Sequence, residues 1–154
     1  MNQAGRIEAL WVKRAHKGPM DATDTLGLVA GKGVAGSADR SRTRQVTIIE
    51  AETFERVGTE LGVEIDPAVR RANVLVSGIE LEGRRHHRLH LGSCVIEVVG
   101  ETRPCERMDE AVPGLQGALS DRWGGGAYGR VLVGGDIRVG DQVRLLPPKD
   151  SRDT

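Results

Sequence analysis

The segment Arg103-Pro104-Cys105-Glu106-Arg107-Met108 carries the most chemical potential in the chain. A proline that opens a helix would place Cys105 in the first helical turn, where unpaired N–H groups and the macrodipole favour a thiolate. Arg103 and Arg107 add positive charge, and Glu106 opposes them. A thiol in that setting suits a nucleophile, a persulfide carrier or a soft metal ligand. The plainer reading is a small buried apolar side chain. Cys94, in the apolar run Cys94-Val95-Ile96, reads as structural.

A second group combines Arg70-Arg71-Ala72-Asn73, just before one expected strand, with Arg44-Gln45 before another. Arginines at strand ends can converge at a barrel mouth and hold a phosphate or carboxylate in a bidentate grip. The alternative is a strand edge guarded by charge. Arg84-Arg85-His86-His87-Arg88-Leu89-His90 invites a zinc reading, but its arginines repel a cation and no acidic or thiol partner stands near. It reads as a solvated hairpin. In Trp123-Gly124-Gly125-Gly126-Ala127-Tyr128, three glycines can cradle an oxyanion or form a flexible connection. The lysine of a phosphate-binding loop is missing there.

Composition narrows the partners. The chain of 154 residues balances 22 Lys and Arg against 22 Asp and Glu, so no bulk charge points to nucleic acid. Arginine supplies 18 of the 22 basic residues; a codon bias that also inflates Gly and Ala explains that total, so only the clustering of the arginines is informative. Two cysteines are too few for a disulfide scaffold or a four-thiolate zinc site. Residues 1–20 lack an apolar core for a signal peptide, and no stretch approaches the roughly 20 apolar residues of a membrane span. A cytoplasmic location without membrane association is expected.

The elements that must position these residues are mainly strands. Residues 6–12 alternate Ile7, Ala9 and Trp11 against Arg6, Glu8 and Leu10, as a half-buried strand does. Residues 15–42 are polar and Gly-rich, a stretch long enough to be functional or to hide short strands. Strands are expected at 45–50, 72–76, 89–99 (broken at Gly92), 130–133 and 142–146. Phe54, Val57 and Leu61 mark one amphipathic helix over 51–61 that ends at Gly62. Pro104–Asp109 and Pro113–Arg122 read as two further short helices. Closely spaced strands with Gly-rich turns favour a barrel over an open sheet. One domain over 1–146 and a polar, frayed tail over 147–154 are expected.

Taken together, these segments resemble the MOSC domain, named for the C-terminal domain of molybdenum cofactor sulfurase. The resemblance runs through Gly33-Val34-Ala35-Gly36, Arg44-Gln45-Val46-Thr47-Ile48, Arg70-Arg71-Ala72-Asn73-Val74 and Leu91-Gly92-Ser93-Cys94. It continues with Pro104-Cys105-Glu106-Arg107-Met108 and closes with Val139-Gly140-Asp141-Gln142-Val143. The Arg-Arg-x-Asn and Pro-Cys-Glu-Arg blocks are its specific parts. The chain departs from many members at Gly36-Ser37-Ala38-Asp39-Arg40, where they carry Gly-Asp-Arg-His, so no histidine role carries over to that loop.

The resemblance implies a mainly β fold, a mostly antiparallel barrel with a few short helices. It implies a pocket for the molybdenum cofactor (molybdopterin), or sulfur carriage on the cysteine matching Cys105, which would serve as catalytic thiol and metal ligand. Arg71 and Asn73 would line the pocket, with Arg70, Arg44 and Gln45 as further cofactor-binding candidates. The implied chemistry is sulfur transfer or molybdenum-dependent reduction of N-hydroxylated compounds. A non-catalytic carrier that uses the same anion pocket is the alternative. The sequence shows neither a pyridoxal-phosphate desulfurase domain nor the barrel domain that precedes MOSC in the larger reductases. A separate sulfur-donor or electron-donor protein is therefore expected, and no pyridoxal phosphate.

Overall fold

The computed structural model describes residues 3–37 and 41–148. Eleven strands and three short helices follow one another along it. They are β1 (Gln3–Lys13), β2 (Met20–Thr23), β3 (Thr25–Val29), β4 (Gly33–Val34), β5 (Val46–Glu50), α1 (Ala51–Leu61), β6 (Val74–Ser77), β7 (Arg88–Leu91) and β8 (Cys94–Glu101). The chain continues with α2 (Arg107–Ala111), α3 (Leu115–Ala118), β9 (Ala127–Val133), β10 (Gly135–Arg138) and β11 (Gln142–Leu146). The loop residues Ala38, Asp39 and Arg40, and the part of the expected tail from Lys149 onward, lie outside the described residues.

Seven strands close a barrel in the order β1-β11-β7-β8-β9-β5-β6 and back to β1. The 11 residues of β1 make closure possible: Gln3–Arg6 pair with β11, and Leu10–Lys13 pair with β2 on the same side. All pairs around the barrel are antiparallel except β5–β6, where Ile48 faces Val74 in parallel register. A parallel pair needs a crossover, and α1 supplies it. A second sheet, β10-β3-β4, lies beside the barrel. The Gly-rich stretch of residues 15–42 thus hides three short strands, β2 to β4.

Two apolar layers explain the sequence patterns. Ile48, Val74 and Val76 join the barrel interior with Ile7, Leu10, Ile96 and Val98. Their chain neighbours Ile49 and Leu75 turn outward into a second cluster with Phe54, Val57, Met108, Leu115 and Leu119. The helices cover that wall, so Ile48-Ile49 in β5 and Val74-Leu75-Val76 in β6 are buried on both faces and read as apolar runs. In β8, buried and half-buried residues alternate throughout, which puts Cys94, Ile96 and Val98 inward as expected.

Three local expectations change. In β1 a bulge between Ile7 and Ala9 shifts the register. Leu10 and Val12 then face the barrel interior, while Trp11 and Ala9 pack under the helices. A simple alternation places Leu10 on the wrong side, because the extra residue flips every later side chain. The expected Pro104–Asp109 helix is shorter and later: α2 begins at Arg107, and Cys105 precedes it in non-helical backbone. The reason is tertiary. The Thr102 and Arg103 carbonyls are tied to the Arg70 guanidinium, so the chain is still non-helical where it passes Pro104. The expected Pro113–Arg122 helix likewise shrinks to α3, which starts after Gly114 in left-handed backbone (φ 88°).

Candidate functional site

A cavity of about 290 Å³ opens beside the first residues of β5 and the approach to β6. It is lined by Arg44, Gln45, Arg70, Arg71 and Asn73, together with Lys13, Met20, Ser37, Thr47, Ala72, Thr102 and Gly125. The five arginine, glutamine and asparagine candidates named from the sequence therefore meet in one place. The place is the outer wall of the barrel and not its mouth. Val46, Ile48, Val74 and Val12 face the interior, so by alternation Thr47, Asn73 and Lys13 face out. The charge is one-sided: Lys13, Arg44, Arg70 and Arg71 line the cavity, with no carboxylate among the described lining residues.

Each candidate is positioned differently. Asn73 accepts hydrogen bonds from the Thr47 N–H (3.0 Å) and hydroxyl (3.1 Å), and its amide donates to the Trp11 carbonyl (3.3 Å). It joins β1 to β5 where β6 is about to enter between them. Gln45 is buried at 5% exposure and donates to the Gly31 and Arg42 carbonyls while accepting from the Val131 N–H. Its polar atoms are spent on three chain segments, which makes it a wall of the cavity more than a ligand hand.

Arg71 ends the turn Pro67–Arg70 in left-handed backbone (φ 61°), a conformation that costs a non-glycine residue on the order of 1 kcal/mol. Its guanidinium donates to the Gly18 carbonyl at 2.6 Å and remains exposed. Arg44 lies over the Tyr128 ring, 4.8 Å from its centroid. Arg70 is the inner arginine. Its Nε donates to the Gly125 carbonyl (2.9 Å), and its Nη2 donates to the Thr102 (3.1 Å) and Arg103 (3.2 Å) carbonyls. Burial pulls Arg70 below the ordinary arginine pKa; the nearby Cys105 opposes that shift and Arg44 adds to it.

Cys105 is exposed and is not among the lining residues, although it lies within electrostatic reach of Arg70. Its carbonyl accepts from Met108 N–H in a turn before α2. Arg103 leans toward Glu101 at 3.8 Å. Cys105 lies before α2, so the helix-terminus argument does not apply to it; the half-buried Arg70 instead holds the Arg103 carbonyl two residues before the thiol. Cys94 is fully buried, and burial raises its thiol pKa, with Asp136 adding to the effect.

The triglycine segment is neither open cradle nor loose connection. A Cβ on Gly124, Gly125 or Gly126 would stand 2.8, 2.2 or 2.3 Å from the carbonyl oxygens of Leu119, Thr102 and Ile48. Gly124 and Gly126 N–H groups already donate to Asp121 and Trp123. The His86–His90 segment is a turn running into β7, and no metal-binding cluster forms among the described residues. Lys13, Met20, Thr47 and Thr102 escaped the sequence reading because only the fold brings them to the cavity. The position of Lys13 at the end of an apolar strand was the one available signal.

The family model of the MOSC domain matches residues 14–144. YuaD protein from Bacillus subtilis superposes with a TM-score of 0.79 at 21% identity, over 97% of this chain and 99% of that one. YiiM from Geobacillus stearothermophilus gives 0.73 at 17% identity, over 92% and 75%. YiiM from Escherichia coli gives 0.68 at 15% identity, over 95% and 72%. At these identities the solved structures speak for the fold. No curated protein matches the chain. No helix among the described residues is long and apolar enough to cross a membrane.

Proposed function

The chain belongs to the MOSC domain family, and from that premise we propose that it binds the pterin form of molybdenum at the cationic cavity and carries sulfur on Cys105. One observation carries the reading. Four cationic side chains line a single cavity without a carboxylate among the described lining residues, and an exposed thiol lies near the innermost of them. The donor set fits such a group. Arg71 and Arg44 are suited to its phosphate, and Cys105, which lies outside the lining, would have to reach the metal as its soft donor. The cofactor, when bound, supplies a metal centre able to accept sulfur or to exchange electrons.

The protein's own part is to bind, orient and carry. A Cys105 thiolate that attacks the terminal sulfur of a donor protein's persulfide becomes a persulfide itself. The donor's S–S bond breaks and its thiolate leaves, so no further oxidant is needed. Exposure of Cys105 suits an exchange between two proteins. That the thiol does not line the cavity favours a second reading, in which the chain delivers cofactor or sulfur without turning over a substrate. Reduction of N-hydroxylated compounds would instead need a separate electron-donor protein.

Protein purified from a molybdenum-replete host is expected to contain molybdenum and pterin, or a persulfide on Cys105. Cys105→Ser is expected to abolish the persulfide and to lower the metal content. Absence of metal, pterin and persulfide together would remove the cofactor reading.

A further inference from the structure

Arg70 reaches across the site with its hydrogen bonds to two other lining residues, Thr102 and Gly125. Its Nε and Nη2 hold three backbone carbonyls from two chain segments: Gly125 just before β9, and Thr102 and Arg103 just after β8. The Thr102 hydroxyl donates to the same Gly125 carbonyl at 2.6 Å, which locks the two segments together. Gly125 packs so closely on Thr102 that any side chain would strike its carbonyl. Two residues beyond Arg103 the chain reaches Cys105, still in non-helical backbone.

We propose that Arg70 is a positioning residue for Cys105: its forked donors fix the backbone two residues before the thiol and so hold a guanidinium charge close to that segment. The inference deepens the proposed function and rests on Cys105 being the working thiol. A lysine cannot replace this fork, because a single ammonium has no planar pair of donors for carbonyls on two segments. Arg103, closer in sequence, is exposed and turned to Glu101, so it does not do the same work. The consequence is a thiol that meets an anionic partner, such as a persulfide terminus or a cofactor's sulfur group, in a fixed direction near a half-buried positive charge.

The test needs no bound cofactor. Full-length wild type, Arg70→Gln, Arg70→Lys and Arg103→Gln are labelled at Cys105 with iodoacetamide (neutral) and iodoacetate (anionic), with rates read by peptide mass spectrometry. Arg70→Gln is expected to lower the iodoacetate-to-iodoacetamide rate ratio by about threefold or more, because an adjacent cation attracts the anionic reagent selectively. Arg103→Gln should leave the ratio near wild type. Arg70→Lys should keep the ratio but speed amide hydrogen exchange over residues 101–106, since the fork is lost. A merely structural arginine would change exchange in both Arg70 variants and leave the ratio untouched, which would overturn the proposal. If Arg70→Gln does not fold, wild-type exchange in Arg70→Lys would overturn it instead. Missing molybdenum and persulfide would end the cofactor reading without moving these rates, so the two failures are distinct.

Discussion

Asn73 and Thr47 hold each other by backbone and side chain at once. The Asn73 Oδ1 accepts from both the Thr47 N–H and its hydroxyl, and the Asn73 N–H donates to the Thr47 hydroxyl and carbonyl oxygens, all between 3.0 and 3.1 Å. This contact starts the parallel β5–β6 pair and sets one wall of the cavity. Asn73→Ala would leave two Thr47 donors without partners. It is expected to cost on the order of 2–3 kcal/mol in urea unfolding. A loss below half a kcal/mol would mean that the pair is replaceable.

Arg71, like Arg44, is an exposed arginine of the cavity, and an anion bound there stabilises the folded chain by mass action. Sulfate or phosphate is expected to raise Tm by roughly 2–4 °C for each kcal/mol of binding in a chain of this size. Arg71→Ala should lose that increment, whatever it does to the baseline. An equal increment in variant and wild type would reduce the effect to general salt.

Gly125→Ala puts a Cβ 2.2 Å from the Thr102 oxygen, against backbone that Arg70 holds in place. A loss of about 3 kcal/mol is expected. Gly117, in α3, has nothing within 4 Å of its would-be Cβ. Gly117→Ala should therefore stabilise by roughly 0.5–1 kcal/mol. Thermal melts of both variants check the contrast, and equal effects would contradict the close packing at Gly125.

Glu50 ends β5 and is 9% exposed; burial lifts its pKa from 4.5 to about 7, with Glu52 and Glu80 adding and the Leu81 backbone and Arg56 opposing. The folded chain then holds a proton that the unfolded chain releases, so this contribution is fully present below pH 4.5 and is lost as pH rises to about 7. Glu50→Gln cannot ionise. Its stability relative to wild type should rise across that window, by up to about 3 kcal/mol. A difference that stays flat with pH would show that Glu50 titrates normally.

The two cysteines should part company. Cys105 is exposed and Cys94 fully buried among Ile96, Ile137 and their neighbours. Alkylation of the native protein is expected at Cys105, with Cys94 labelled only after unfolding. Cys94→Ala should cost about 1–2 kcal/mol by leaving a small cavity. Labelling of Cys94 first would reverse the assignment.

The strands were legible because β-branched runs and glycine turns carry their own local signal, and Gly62 stops α1 with a left-handed cap as its position promised. The doubly buried β5 and β6 could be read as strands, yet their parallel pairing could not, since direction depends on where α1 returns the chain. The bulge in β1 was invisible for a similar reason: one added residue changes the facing of Leu10 without changing the composition around it.

The sequence by itself determined the barrel class and the buried Cys94, and its resemblance to the MOSC domain named Arg44, Gln45, Arg70, Arg71 and Asn73 as candidates. Residue type and order suffice for the first two, because apolar patterning and glycine turns are local properties; that the candidates meet on the outer wall is a matter of the fold. Only the tertiary structure decided which arginine does what. Arg70 and Arg71 are adjacent in sequence, but the left-handed backbone at Arg71 separates them. One guanidinium is driven inward onto the Gly125, Thr102 and Arg103 carbonyls, and the other remains at the surface beside Gly18. The same carbonyl bonds delay α2 until Arg107 and leave Cys105 outside the helix. Those partners lie 32 to 55 residues away along the chain, a separation that no local pattern encodes.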